Sequence, residues 1–219
     1  MYVGRIVAIG RTRAGRNAAL YRVSSRSFPN RRAVEDAGCI AVVPRAGHEG
    51  DVQKNPYIAY HCLRIARDLA VATNGSHTDP IAEKIAAGTP PRDALAQTLL
   101  ALDYEKDDYR TPRIAAVVPL AGDTGWLAIV RADALVVKEV PLAAGRATWL
   151  ATYEANDVRD SQSTDFDAAD AAAAARFAID GGELGKLTHP VTSAAALATG
   201  GAFALATFSV EAPEPGPAR

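Results

Sequence analysis

Val3-Gly4-Arg5-Ile6-Val7-Ala8-Ile9-Gly10, and then Asn17-Ala18-Ala19-Leu20-Tyr21-Arg22-Val23-Ser24, is the stretch on which the reading of the fold turns. Two apolar runs of strand length are separated by an Arg/Gly segment at 10–16, the pattern of a β-hairpin. A hairpin at the start commits the neighbouring strands to antiparallel pairing. Downstream, residues 114–120, 126–131, 135–140 and 147–152 read as further strands, with Gly122-Asp123-Thr124-Gly125 and Ala132-Asp133-Ala134 as turns between them. Residues 39–44 read as a short buried strand by their continuous apolar run, and 63–67 and 69–73 as a pair of strands around Asp68, with a helix as the alternative there.

Helices are grouped rather than interleaved. Residues 81–87 and 92–102 are expected as helices on either side of Gly88-Thr89-Pro90-Pro91, the second with an apolar stripe at Leu95, Leu99 and Leu102. Thr164 and Asp167 open an Ala-rich helix that stops at Gly181-Gly182; residues 192–198 read as a last short helix and 202–210 as a last strand. Segment 47–54 reads as polar loop. Paired strands with segregated helices make an antiparallel α+β protein, a single domain over residues 1–210 followed by a Pro-rich disordered tail at 211–219.

The hairpin leads into Tyr21-Arg22-Val23-Ser24-Ser25-Arg26-Ser27-Phe28-Pro29-Asn30-Arg31, which concentrates guanidiniums, hydroxyls and a carboxamide in a turn-prone segment. Such a set suits the oxygens of a phosphate or carboxylate, and period-two geometry puts Arg22, Ser24 and Arg26 on one face if the strand runs that far. A solvated basic loop is the alternative. Elsewhere, Asn55-Pro56-Tyr57 is a turn that exposes Tyr57 or Tyr60, Asn74-Gly75-Ser76-His77-Thr78-Asp79 is dense in donors and acceptors, and Asp103-Tyr104-Glu105-Lys106-Asp107-Asp108 sets four carboxylates around one ammonium.

Composition narrows the classes of function. The 219 residues carry 24 Lys and Arg against 25 Asp and Glu, a balance that argues against a general nucleic-acid or anionic-membrane binder. The charge is uneven, with twelve basic and five acidic residues through Gly75, which suits a small anionic substrate. Two cysteines without C-x-x-C spacing and no secretory leader point to a reduced cytoplasmic compartment. Four scattered histidines support no metal site. Segment 187–210 lacks Asp, Glu, Lys and Arg, but His189, Pro190, Ser193, Gly200, Gly201, Ser209 and four threonines keep it too polar for a membrane span.

Six blocks in order, YRVSSRSFPNR, Asn55 to Tyr60, Asn74 to Asp79 with Thr73, Leu102 to Ala116 through Thr111-Pro112-Arg113, Thr152-Tyr153-Glu154 and Thr188 to Thr192, resemble the archaeal-type inosine monophosphate (IMP) cyclohydrolases, from Met1 to about Thr207. That resemblance implies a four-layer αββα sandwich like that of N-terminal-nucleophile hydrolases. Tyr2 follows Met1, so no Cys, Ser or Thr is there to be freed as a processed nucleophile. It also implies closure of 5-formamidoimidazole-4-carboxamide ribonucleotide (FAICAR) to IMP with loss of water, without a redox cofactor or an obligatory metal. Chemistry then assigns Glu105 as base, Tyr60 or Tyr104 as proton donor to the formyl oxygen, and Lys106 or Arg113 as oxyanion partner. Arg22, Ser24, Ser25 and Arg26 are expected on the monophosphate with Asn30 and Arg31 as helpers, and Asn74, Gly75, His77 and Tyr153 on base or ribose. Two other classes stay open: an amidohydrolase with Cys39, Cys62 or a cradle serine as nucleophile, and a nucleotide-sensing or RNA-binding module. Homo-oligomerisation is left open by the sequence.

Overall fold

The computed structural model describes residues 2–159 and 162–211; the expected tail at 212–219 lies outside them. In chain order the elements are β1 (Arg5–Arg11), β2 (Asn17–Ser24), β3 (Arg31–Asp36), β4 (Cys39–Pro44), α1 (Asp51–Lys54), β5 (Tyr60–Ala66), β6 (Leu69–Thr73), α2 (Thr78–Ala86), α3 (Pro91–Leu102), β7 (Arg113–Pro119), β8 (Thr124–Arg131), β9 (Ala134–Pro141), β10 (Arg146–Ala151), β11 (Ser163–Asp165), α4 (Ala171–Asp180), β12 (Pro190–Thr199) and β13 (Ala202–Ser209). They form an α+β protein with two antiparallel sheets. One has the order β11-β10-β1-β2-β12-β13 and the other β3-β4-β5-β6-β7-β8-β9.

Period-two alternation decides what each face touches. From β1, Val7 and Ile9 point into a cluster shared with Ile40, Leu63, Ile114, Leu127 and Ile129 of the other sheet. Their neighbours Ile6 and Ala8 point the opposite way, onto Ala174, Ala175 and Ala178 of α4. On the outer side of the seven-stranded sheet, Val71, Ala115 and Val117 pack under Ile81 and Ile85 of α2 and Leu95 and Leu99 of α3.

Four local expectations change. Residues 192–198 belong to strand β12, paired on both sides with β2 and β13, rather than to a helix. Between those neighbours the backbone groups of an alanine run are satisfied by ladders instead of helical bonds. β3 follows directly on Asn30, pairing Arg31 with Pro44 and Asp36 with Cys39. Part of the expected loop 47–54 is the short α1. The Ala-rich helix starts later than expected, capped by Asp170, whose Oδ1 accepts from Ala173 N at 2.7 Å, while Thr164 lies in β11. Among the described residues no helix is long and apolar enough to cross a membrane, and segment 187–210 is spent on the β12–β13 hairpin.

Candidate functional site

β2 ends at Ser24, and just beyond it lies a cavity of about 530 Å³ lined by Ser25, Arg26, Tyr2, Arg5, Asp107 and Tyr153 among others. Tyr2 stacks on Tyr153 with ring centroids 5.9 Å apart, and the Arg26 guanidinium lies 4.0 Å from the centre of the Tyr2 ring. The Tyr153 hydroxyl meets Thr111 Oγ1 at 2.9 Å, and that hydroxyl donates to Asp107 Oδ2 at 2.6 Å. Arg26, unlike Arg22, lies over a ring at the cavity border, a position from which its guanidinium can reach an anion in the cavity.

Behind the cavity lies a buried polar group. Arg5 Nη2 donates to Glu105 Oε2 at 2.9 Å, and Arg113 Nη1 stands 3.9 Å from Glu105 Oε1. Glu105 is 1% exposed, and burial lifts its pKa above the ordinary carboxylate range while Arg5 and Arg113 pull the other way. Tyr21 and Tyr60 are joined hydroxyl to hydroxyl at 2.5 Å. Burial pushes both phenols upward, Tyr60 against the opposing fields of Arg31 and Arg5, so both keep their protons at neutral pH. Burial is the largest single influence on Arg5 and works against its charge, but the fields of Glu105, Tyr60, Tyr21 and Tyr153 together raise its pKa, so Arg5 stays charged. A carboxylate, a pair of phenols and a guanidinium between them are a set able to take and return protons.

His77 is fully buried at the start of α2. Its Nε2 sits 2.9 Å from the carbonyl of Ile114 and therefore carries the proton, which leaves Nδ1 as a bare acceptor. Burial lowers its pKa to about 3, so the ring is neutral at any working pH.

Several expected site residues are elsewhere. Arg22 is completely buried and faces α4, not the cavity: Nη1 donates to Ile179 O and Leu184 O at 3.0 and 2.6 Å, Nη2 to Leu187 O at 2.8 Å, and Nε to Ser24 Oγ at 2.9 Å. Its donors close the C-terminal turn of a helix, so Arg22 and Ser24 leave the anion cradle. Arg26 does not share their face, since the strand ends before it. Asn74 is a backbone tie, donating to Pro112 O at 3.0 Å and accepting from Ile114 N at 2.7 Å. Asn30 contacts His48 at 3.2 Å rather than the cavity. Tyr104 and Lys106 point outward with the ammonium 3.7 Å from the centre of the ring, and Lys106 is paired with Asp103. Asp103 has a positive φ of 56°, and from that turn the chain sends alternate side chains out and Glu105 in.

Ser25, Arg26 and Tyr153 border the cavity, and Gly75, His77, Arg113 and Glu105 come together in a buried group linked to it through Arg5. Arg31 is buried, donates Nε to Phe28 O at 3.0 Å and faces Tyr60. Sequence reasoning missed Arg5, Tyr2 and Tyr21. A lone Arg in an otherwise apolar strand was the available signal for Arg5. Cys62 is buried with its thiol pushed far upward, and Cys39 is shifted upward too; neither borders the cavity, and neither has the depressed pKa of a nucleophilic thiolate. Among the described residues no three His, Cys, Asp or Glu side chains cluster as metal ligands.

The family model described as "IMP cyclohydrolase-like protein" matches residues 2–202. The IMP cyclohydrolase of Methanosphaera stadtmanae is 47% identical over 196 residues, which cover 90% of this chain and 94% of that protein. That of Methanococcus maripaludis is 46% identical over 209 residues, covering 95% of this chain and all of the relative. The Halobacterium salinarum protein reaches 50% over 179 residues, or 81% and 84% of the two chains. With its cavity, its buried carboxylate and this likeness along nearly its whole length, the chain belongs to the IMP cyclohydrolase family.

Proposed function

We propose that this IMP cyclohydrolase closes FAICAR to IMP in the cavity between Arg26 and Arg5. In this reaction the carboxamide nitrogen attacks the formyl carbon, one C–N bond forms and one C–O bond breaks. The departing oxygen takes one proton from the carboxamide nitrogen and one from the formamide nitrogen and leaves as water. No electron is gained or lost, so the chemistry calls for positioning and proton transfer.

Arg26, with the hydroxyls of Ser25 and Ser27, binds the monophosphate at the open end, and Tyr153 with Tyr2 flanks the sugar and ring. Glu105 is the base that takes the carboxamide proton. Its raised pKa brings a carboxylate closer to the basicity such a weak acid needs. The Tyr60–Tyr21 pair delivers a proton to the formyl oxygen, and Arg5, with Arg31 beside Tyr60 and Arg113 beside Glu105, offsets the charge that develops there. One observation carries this reading: Arg5 borders the cavity and donates at 2.9 Å to the buried Glu105, which links the open pocket to an otherwise hidden carboxylate.

The finer architecture follows the same reading. Residues 1–210 form one unit with a four-layer αββα sandwich of the N-terminal-nucleophile hydrolase kind, supported by one apolar cluster between the sheets and one under the helices on either outer face. FAICAR and IMP are its small-molecule partners, and a reduced cytoplasm suits its two free cysteines. The decisive experiment incubates purified protein with FAICAR and a chelator and follows purine absorbance. Closure is expected, and Glu105→Gln is expected to lower kcat by about 10²–10⁴-fold while FAICAR still binds. Unchanged turnover in that variant removes Glu105 from the mechanism.

A further inference from the structure

Three polar side-chain atoms converge above Gly75. A β-carbon built on that glycine would stand 3.0 Å from Arg113 Nη1 and 3.3 Å from both Glu105 Oε1 and His77 Nδ1. All three atoms are buried without a hydrogen-bond partner among the described residues. Their valences are fixed by what surrounds them. His77 Nδ1 only accepts, because Nε2–H is committed to Ile114 O. Glu105 Oε1 accepts when the carboxyl is ionised, Oε2 being held by Arg5. Arg113 Nη1 only donates, its Nε being engaged with Asp103 O at 2.9 Å. Two acceptors and one donor gathered around the bare side of Gly75 are the complement of a water molecule, which offers two hydrogens and accepts through oxygen. An anion would be repelled by Glu105 and a cation by Arg113.

We propose that Gly75, His77, Glu105 and Arg113 form a site for a single buried water, and that this water keeps Glu105 ionised as the base for ring closure. The role given to the water rests on the reading of Glu105 above; the site itself does not. Without a donor between them, an ionised Oε1 and Nδ1 confront each other as two lone pairs, and the protein alone can relieve that only by protonating Glu105. The groups facing this carboxyl are Arg5 on β1, Arg113 on β7, His77 before α2 and Asp107 on its own loop; the two guanidiniums favour the carboxylate, while Asp107 and the bare Nδ1 of His77 add to the pressure toward protonation. His77 and Gly75 are thus positioning residues, and Gly75 is glycine for room: its φ lies outside the left-handed region.

Atomic-resolution crystallography of the unmutated protein tests the site without any assay. A density peak within hydrogen-bond distance of all three atoms is expected, and a site empty of density overturns the proposal. Kinetics test the role. Gly75→Ala puts a methyl within 3.0–3.3 Å of all three atoms, crowding the water that they share, and is expected to lower kcat about tenfold, leave KM within about twofold and move the acidic limb of the pH–rate profile upward. Gly75→Ser, which brings its own hydroxyl, is expected to recover most of the loss. A peak in the crystal with unaltered kcat and limb in Gly75→Ala overturns the role, whereas failure of the unmutated protein to close FAICAR overturns the proposed function and leaves the crystallographic result standing.

Discussion

Glu105 takes its character from three neighbours and from the loss of water around it. Because folding raises its pKa above the ordinary carboxyl value of 4.5, the native chain holds a proton through a pH window in which the unfolded chain has lost it. Native stability from this group is therefore fully present below about 4.5 and falls as pH rises through the higher folded value. Glutamine carries no such slope. The stability of Glu105→Gln relative to the unmutated protein is expected to rise with pH across that window, by thermal unfolding in parallel between pH 4 and 8, while its activity stays low throughout. A stability difference independent of pH would mean that the carboxyl titrates normally in the fold. Arg5 was hidden from sequence reasoning at this same scale. Its neighbours Val3, Ile6 and Val7 are buried core, and a single cation in such a run reads as the frayed start of a strand until the partner, a hundred residues away, is known.

Elements explain why the Arg/Ser segment was half legible. Its turn-forming half, Ser25 to Phe28, does border the cavity, but its strand half is claimed by α4. That helix ends at Asp180 with carbonyls to satisfy, and Arg22, rising from the centre of the sheet beneath it, supplies the donors. Burial draws the Arg22 pKa down to about 10, which still leaves it charged at neutral pH beside the negative end of the helix dipole. Arg22→Ala is expected to cost about 2–4 kcal/mol in urea unfolding, because buried carbonyls lose their partners. The KM for FAICAR is expected to stay within about twofold, since no substrate contact is removed. A large rise in KM with little loss of stability would restore Arg22 to the phosphate site. β12 was misread for a related reason: Ala194 to Ala198 is apolar throughout, and periodicity cannot separate a buried helix from a strand buried on both faces. β3 escaped notice because Arg32, Glu35 and Asp36 are exposed on a sheet edge, although Arg31 and Ala33 alternate with them as buried positions.

At the scale of the molecule, the proton-transfer group belongs to neither sheet alone. Arg5 and Tyr21 come from β1 and β2, whereas Tyr60, Arg113, His77 and Glu105 come from β5, β7 and the loops at that sheet's end. The order of strands and helices was readable because each hairpin is local; the meeting of the two sheets was not, because no local signal says which faces oppose. It follows that the apolar cluster between the sheets sets the 2.9 Å contact between Arg5 and Glu105, while the cluster under α4 supports only the six-stranded sheet. Two leucines of equal burial separate these roles. Leu150, beside Val7 on β10, lies between the sheets, and Leu197 on β12 lies under α4; both are completely buried. Truncating either to alanine is expected to cost about 2–5 kcal/mol of stability. Only Leu150→Ala is expected to lower kcat as well, by about tenfold under conditions where both variants are folded, since a shift of an ångström between reacting groups is enough for such a loss. Equal kcat in the two variants would mean that the loops hold Arg5 and Glu105 together without help from the packing between the sheets.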